Sequence, residues 1–169
     1  IACLLDPNFN EAFFYSAQIY QNLKIYEKAE IFYNKINTNH PLYLEGFKNI
    51  IFNKGKQNSF IQREQSLLNL KNNYLNKNKI NLILADFYRI EKKYEQAISY
   101  YSKLINSNKN LHIDLWRVLY LRGICYEKIL KWNIAENDFL KSLNINPNSP
   151  QVLNYLAYGW LERGIYLDK

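Results

Sequence analysis

Apolar, small and polar positions recur along this chain in matching blocks. Residues 26–33, YEKAEIFY, and residues 94–101, YEQAISYY, share an opening Tyr-Glu, an alanine in fourth place and a closing tyrosine; residues 132–139, WNIAENDF, keep the same alternation of aromatic, small and apolar positions. Twelve residues before each alanine stands another small residue: Ala17 before Ala29, Ala85 before Ala97, Gly123 before Ala135. Three residues after each of these comes a tyrosine, Tyr20, Tyr88 or Tyr126. Apolar side chains three or four apart share one helical face, so each block predicts an amphipathic helix. Ala29 and Ala97 are 68 residues apart, twice 34, and a period of that length means a repeat architecture rather than a set of unrelated helices. Helical spacing also survives in residues 60–75, where Phe60, Leu67, Leu68 and Tyr74 lie at or near intervals of three or four.

These residues resemble the tetratricopeptide repeat, a helix–turn–helix unit of 34 residues with small residues at positions 8 and 20, aromatics at 11 and 24, and proline near 32. Counted from Asn10, Phe13 stands at position 4, Ala17 at 8, Tyr20 at 11, Ala29 at 20, Tyr33 at 24 and Pro41 at 32. Counted from Trp116, the same places hold Leu119, Gly123, Tyr126, Ala135, Phe139 and Pro147. From Asn78 they hold Asn81, Ala85, Tyr88, Ala97, Tyr101 and Lys109, with a polar residue at position 4 and the proline lost. The resemblance divides the chain into the end of a preceding repeat (1–9, with Ala2 and Pro7 in register), a repeat at 10–43, a degenerate one at 44–77, a third at 78–115 with a lengthened linker, a fourth at 116–149, and the first helix of a further repeat at 150–169. In that last helix Ala157 takes position 8 and Trp160 position 11. The degenerate repeat departs from the pattern: Ile51 stands where a small residue belongs, Lys54 replaces the aromatic and Arg63 replaces the alanine, so its helices are expected to pack loosely or out of place. What the resemblance implies is an all-α fold, a right-handed superhelical solenoid of antiparallel helix pairs. The chain opens at Ile1 and is read as a fragment of a longer array from a bacterial source.

Physics supports the same register. Helices packed 8–10 Å apart need small side chains where their axes come closest, a place filled here by Ala17 and Ala29, Ala85 and Ala97, and Gly123 and Ala135. A single helix pair cannot bury its apolar face alone, so stacked neighbours must share one core.

The resemblance also says which positions line the concave face. These give, as candidates for a peptide groove, Phe14, Tyr15, Gln18, Asn49, Phe52, Leu82, Asp86, Arg117, Tyr120, Leu121, Asn154, Tyr155 and Tyr158. A known use of such repeats is a basic clamp on a peptide carboxylate, with Lys at position 5 and Asn at 9; Phe14 and Gln18, and Tyr120 and Ile124, stand there instead, so that clamp is not expected. An aromatic-rich face suits an apolar or amphipathic peptide, because aromatics dominate interface hot spots. The expected function is a non-catalytic protein–protein interaction scaffold, with protein or peptide partners and the remaining repeats of the same chain as neighbours. The alternative is a regulatory or substrate-presenting arm of a larger enzyme.

Composition narrows the picture further. The chain is 48% hydrophobic with only 5 Gly and 4 Pro in 169 residues, too apolar for a disordered chain and too poor in turn formers for a β-sandwich. Its net charge of +7 comes from scattered lysines, with only Lys54 to Lys56, Lys77 to Lys79 and Lys92-Lys93 approaching clusters, so nucleic acid is not the expected partner. No apolar run long enough to span a membrane is present, and the compartment is left open. His40, read as a solvated turn residue, and His112, in the linker, have no Cys, Asp or Glu at metal-ligand spacing, and no phosphate loop or Gly-x-Ser-x-Gly appears. No metal, cofactor or catalytic residue is expected. Glu91 and Glu95 are read as two carboxylates one turn apart on a solvated helix face. Cys3 and Cys125 are too far apart in such an array to bridge, and Cys125 reads as a small apolar packing residue.

Overall fold

The computed structural model describes residues 9–53, 59–73, 77–107 and 114–164. Every regular element among them is a helix. Readings that rest on Ala2, Cys3, Pro7, Lys54, Lys56, Tyr74, Lys109 and His112 fall outside the described residues. The chain forms two compact units, residues 1–69 and 70–169, each taken here by itself.

In the first unit α1 (Asn10–Asn22) packs against α2 (Tyr26–Tyr33), and α2 packs in turn on α3 (Tyr43–Asn53). Ala17 and Ala29 are fully buried in a core completed by Phe13, Phe14, Tyr33, Ile36 and Ile50. Gly46 lets α3 approach: a Cβ there would lie 3.0 Å from Tyr33 Cδ1 and 3.1 Å from Ile36 Cδ1. The loop between α2 and α3 is tied back to the start of α1. The Asn37 N–H donates to Asn10 Oδ1 at 2.7 Å, and His40 Nε2 lies 3.2 Å from Glu11 Oε1. His40 is therefore not the solvated residue its sequence position suggested. Its Nδ1 accepts from the Leu42 N–H at 3.3 Å.

Helix α4 (Phe60–Asn73) begins in this unit with a reciprocal capping box: the Ser59 N–H donates to Gln62 Oε1 at 3.1 Å and the Gln62 N–H to Ser59 Oγ at 3.3 Å. Among the described residues α3 and α4 form no close backbone pairing of the kind that joins α1 to α2. Ile51 and Arg63, which replace the small residues of the other pairs, are both buried. Side chains of that bulk hold two axes beyond the distance at which small residues interlock.

The second unit holds the end of α4, then α5 (Lys77–Ile90), α6 (Tyr94–Asn106), α7 (Leu115–Lys128), α8 (Trp132–Ile145) and α9 (Pro150–Glu162), each packed on the next from α5 onward. Ala85, Ala97 and Ala135 are fully buried at the crossings. Gly123 lies against Phe139 so closely that a Cβ would sit 2.6 Å from its Cε1, and a Cβ on Gly159 would overlap the Trp132 ring. Ser142 Oγ donates to the Trp116 carbonyl at 2.7 Å, and Trp160 Nε1 to Glu136 Oε1 at 2.6 Å, stitching α8 to the helices on either side. Ala157 is exposed. Glu91 and Glu95 do not share the helix face read from the sequence, because α5 ends at Ile90 and Glu91 lies in the turn before α6.

One device joins each of the pairs α1–α2, α5–α6 and α7–α8. Lys24, Lys92 and Leu130 occupy the left-handed region, with φ of 60°, 59° and 62°. The next residue's N–H reaches back across the turn: Ile25 to the Tyr20 carbonyl at 2.9 Å, Lys93 to Tyr88 at 2.8 Å, Lys131 to Tyr126 at 2.9 Å. This is the Schellman ending, usually made by glycine. An L residue in this conformation costs about 1–2 kcal/mol, and Leu130 offsets none of it by packing, since it is 88% exposed. Leu130→Gly should therefore raise the unfolding free energy by about 0.5–1 kcal/mol, the relieved strain exceeding the added entropy of the unfolded chain. Chemical denaturation would show it; a midpoint below that of the parent would contradict the strain.

Candidate functional site

The side chain at the end of each repeat's aromatic column decides what the first helices present. In the first unit Tyr33, on α2, carries its hydroxyl to the α1–α3 side, where it donates to Gln21 Oε1 at 2.8 Å and accepts from Asn49 Nδ2 at 3.0 Å. Burial raises the Tyr33 hydroxyl pKa, the Asn49 hydrogen bond opposing and the Glu45 charge assisting. In the second unit Tyr101, on α6, plays the corresponding part: its hydroxyl donates to Asp86 Oδ1 at 2.6 Å and accepts from Arg89 Nε at 3.2 Å. Arg89 Nη2 lies 3.4 Å from the same Asp86 oxygen. Burial, then the Asp86 charge, pushes the Tyr101 hydroxyl far above its ordinary range. Burial alone would lower the Arg89 pKa, but Tyr101 and Asp86 together raise it, so the guanidinium stays charged. Asp86 and Arg89 are only half-buried, so the pair faces solvent while anchored to a buried phenol.

In the fourth pair the same place is held by Phe139, which has no hydroxyl, and the face turns aromatic. Tyr120 on α7 meets Tyr155 on α9 edge-on, centroids 5.7 Å apart at 81°, and both rest against Phe139. Burial, then neighbouring Tyr155, raises the Tyr120 hydroxyl, while the Arg89 charge opposes them. Further along α9, Tyr158 is exposed and its hydroxyl pKa is raised first by a hydrogen bond to Glu162. Asp86 and Arg89 on α5 are thus held together through Tyr101, and Tyr120 on α7 meets Tyr155 on α9, while Leu82 is half-buried and Arg117, Asn154 and Tyr158 are exposed on the same three helices.

Not every candidate presents a surface. Phe14 is 5% exposed and turns its ring edge to Tyr33 at 5.7 Å, and Leu121 is 8% exposed, so both belong to the interior. They do not serve as groove residues because both side chains are buried, Phe14 within the core that α1 shares with α2. In the first unit Tyr15 and Gln18 are exposed, and Asn49 and Phe52 half-buried. Sequence reasoning missed Arg122, whose guanidinium grips the fully buried Asp138 with bonds of 2.7 and 2.8 Å and donates to Ser102 Oγ at 2.9 Å, tying α6, α7 and α8 together. The signal was present as an arginine one residue before Gly123 and an acid one residue before Phe139, on faces that pack together. Removing either partner would strand a buried charge, which makes this a structural clasp rather than a binding group.

Residues 11–43 and residues 79–111 each match the tetratricopeptide repeat family. The chain carries tetratricopeptide repeats at these two places. A tetratricopeptide repeat protein from Parabacteroides merdae has a similar fold, with a TM-score of 0.66 and 20% identity over 92% of this chain and 60% of that one. MamA from MSR-1 gives 0.61 at 15% identity over 92% and 87% of the two chains, and another crystal structure of MamA gives 0.63 at 13% over 95% and 85%. No curated protein matches the sequence. Tetratricopeptide repeats are in general non-catalytic modules of protein interaction. Among the described residues of this repeat protein, no group of three or more His, Cys, Asp or Glu could hold a metal ion, and no helix is long and apolar enough to cross a membrane.

One nucleophile lies beneath the face. Cys125 is free, fully buried on α7, and its thiol is pushed up to about 12 by burial, with the Arg89 charge opposing and Asp86 assisting. A thiol raised above its ordinary 9.0 favours the folded state below pH 9 and loses that contribution as pH climbs towards 12. The unfolding free energy should fall above pH 9, by up to about 1.4 kcal/mol per unit from this group, and Cys125→Ala should flatten the decline. Equal slopes in parent and variant would show that the thiol is not held protonated.

Proposed function

We propose that this repeat protein is an interaction scaffold whose second unit holds an extended apolar or amphipathic peptide segment along α5, α7 and α9. What carries the reading is the edge-on Tyr120–Tyr155 pair beside the Asp86–Arg89–Tyr101 group: a rigid aromatic surface next to oriented charges. Aromatic anchors supply contact area with little rotamer entropy to lose, and neighbouring polar groups fix the register of what they hold. Tyr158 and Leu82 extend the apolar surface, while Arg117 and Asn154 supply polar contacts at its edge. Tyr15, Gln18, Asn49 and Phe52 offer a separate, smaller set in the first unit.

Selection of peptides from a displayed library, with binding of the winners measured by fluorescence anisotropy, tests this. Tyr155→Ala and the exposed-site variant Tyr158→Ala should each weaken a selected peptide by about tenfold, the scale of a hot-spot truncation, and Arg89→Gln should change which sequences are selected. Helicity and unfolding midpoint measured in parallel separate lost contact from lost fold. Binding within twofold of the parent in folded Tyr155→Ala and Tyr158→Ala would overturn the assignment of this face.

A further inference from the structure

Away from the first helices, the second unit gathers lysines around a single ring. Lys71, in the last turn of α4, holds its ammonium 4.9 Å from the centre of the Tyr100 ring on α6, and Lys103, one turn further along α6, holds its own at 4.7 Å. Both ammonium groups therefore lie within one Debye length of each other, about 10 Å at 0.1 M salt. Lys77, the first residue of α5, joins the same field. The first turn of α5 contains no acidic residue, so its positive helix end adds to the three lysines rather than being neutralised. Among the described residues no carboxylate pairs with Lys71, Lys77 or Lys103. The Lys71 pKa is lowered by burial and then by Lys103 and Lys77. Repulsion of that kind is relieved when an anion arrives.

The geometry points to an acidic docking site: we propose that the Lys71, Lys77 and Lys103 cluster binds a run of Asp and Glu side chains on a partner protein. Lysines are point charges that suit a mobile row of carboxylates, and no arginine fork is present to grip phosphate bidentately. Nucleic acid fits less well. Recognition of single strands relies on bare aromatic faces for base stacking, whereas the Tyr100 ring is stacked by Tyr88 at 5.5 Å and 16° and crowded by two ammonium groups. The site is built on the end of α4, the first residue of α5 and α6, and shares no residue with the aromatic face of Tyr120 and Tyr155 on α7 and α9.

Binding of a fluorescein-labelled oligoglutamate peptide to the whole chain, followed by anisotropy at low salt, tests the proposal. Lys71→Gln/Lys103→Gln should weaken the peptide by about tenfold, the combined effect of two partly exposed ion pairs, with unfolding midpoint unchanged. Lys131→Gln/Lys141→Gln, which removes the same charge from exposed positions on the same unit, should leave it within twofold. Equal weakening in both double variants would reduce the effect to net charge and overturn the site. So would tighter binding of a single-stranded oligonucleotide than of the peptide, or an unchanged affinity in Lys71→Gln/Lys103→Gln.

Discussion

A small residue on one helix pressed against an aromatic ring on its partner is the contact from which the rest of this structure follows. Where the contact exists, as at Gly123 against Phe139, the helices approach closely enough for alanine and glycine to vanish into the interface. The ring that fills the remaining space then fixes the rotation of each helix about its axis. That rotation selects which side chains of α1, α5 and α7 look outward and which look into the next pair. Where the contact is replaced by Ile51 and Arg63, the close pairing of α3 with α4 is lost, and the division between the compact units falls within α4.

The same constraint explains what could be read from the sequence. Alanine at fixed spacing from tyrosine is a packing requirement, so the all-helical repeat fold was legible. The turns were less so: Lys24, Lys92 and Leu130 adopt a conformation that glycine would have announced. Surface assignment failed wherever one position serves two neighbours. Phe14 and Leu121 occupy places that the repeat pattern assigns to an outer face, yet both are buried against adjacent helices. The Arg122–Asp138 clasp was missed although each partner stands one place before a packing residue, because it joins residues 16 apart and only the folded geometry brings them together.

What the first helices present follows from the residue that ends each aromatic column. A tyrosine there, Tyr33 or Tyr101, sends a hydroxyl to polar groups on the first helices; a phenylalanine, Phe139, meets the rings of Tyr120 and Tyr155 instead. One atom at a buried position thus sets the chemistry of the exposed face above it. The lysine cluster on α4, α5 and α6 obeys a different logic, since its charges are gathered by proximity to Tyr100 and oppose rather than satisfy one another.

The contact itself can be weighed by a double-mutant cycle in Gly123→Ala and Phe139→Leu, with unfolding free energies from chemical denaturation. In the parent background the new Cβ meets the ring at 2.6 Å and must displace it, so Gly123→Ala should destabilise despite the better helix propensity of alanine. With leucine at 139 the same change should become neutral or stabilising, a coupling of about 1–3 kcal/mol. Strictly additive effects, with no coupling between the two positions, would contradict the claim that this contact sets the packing on which the rest depends.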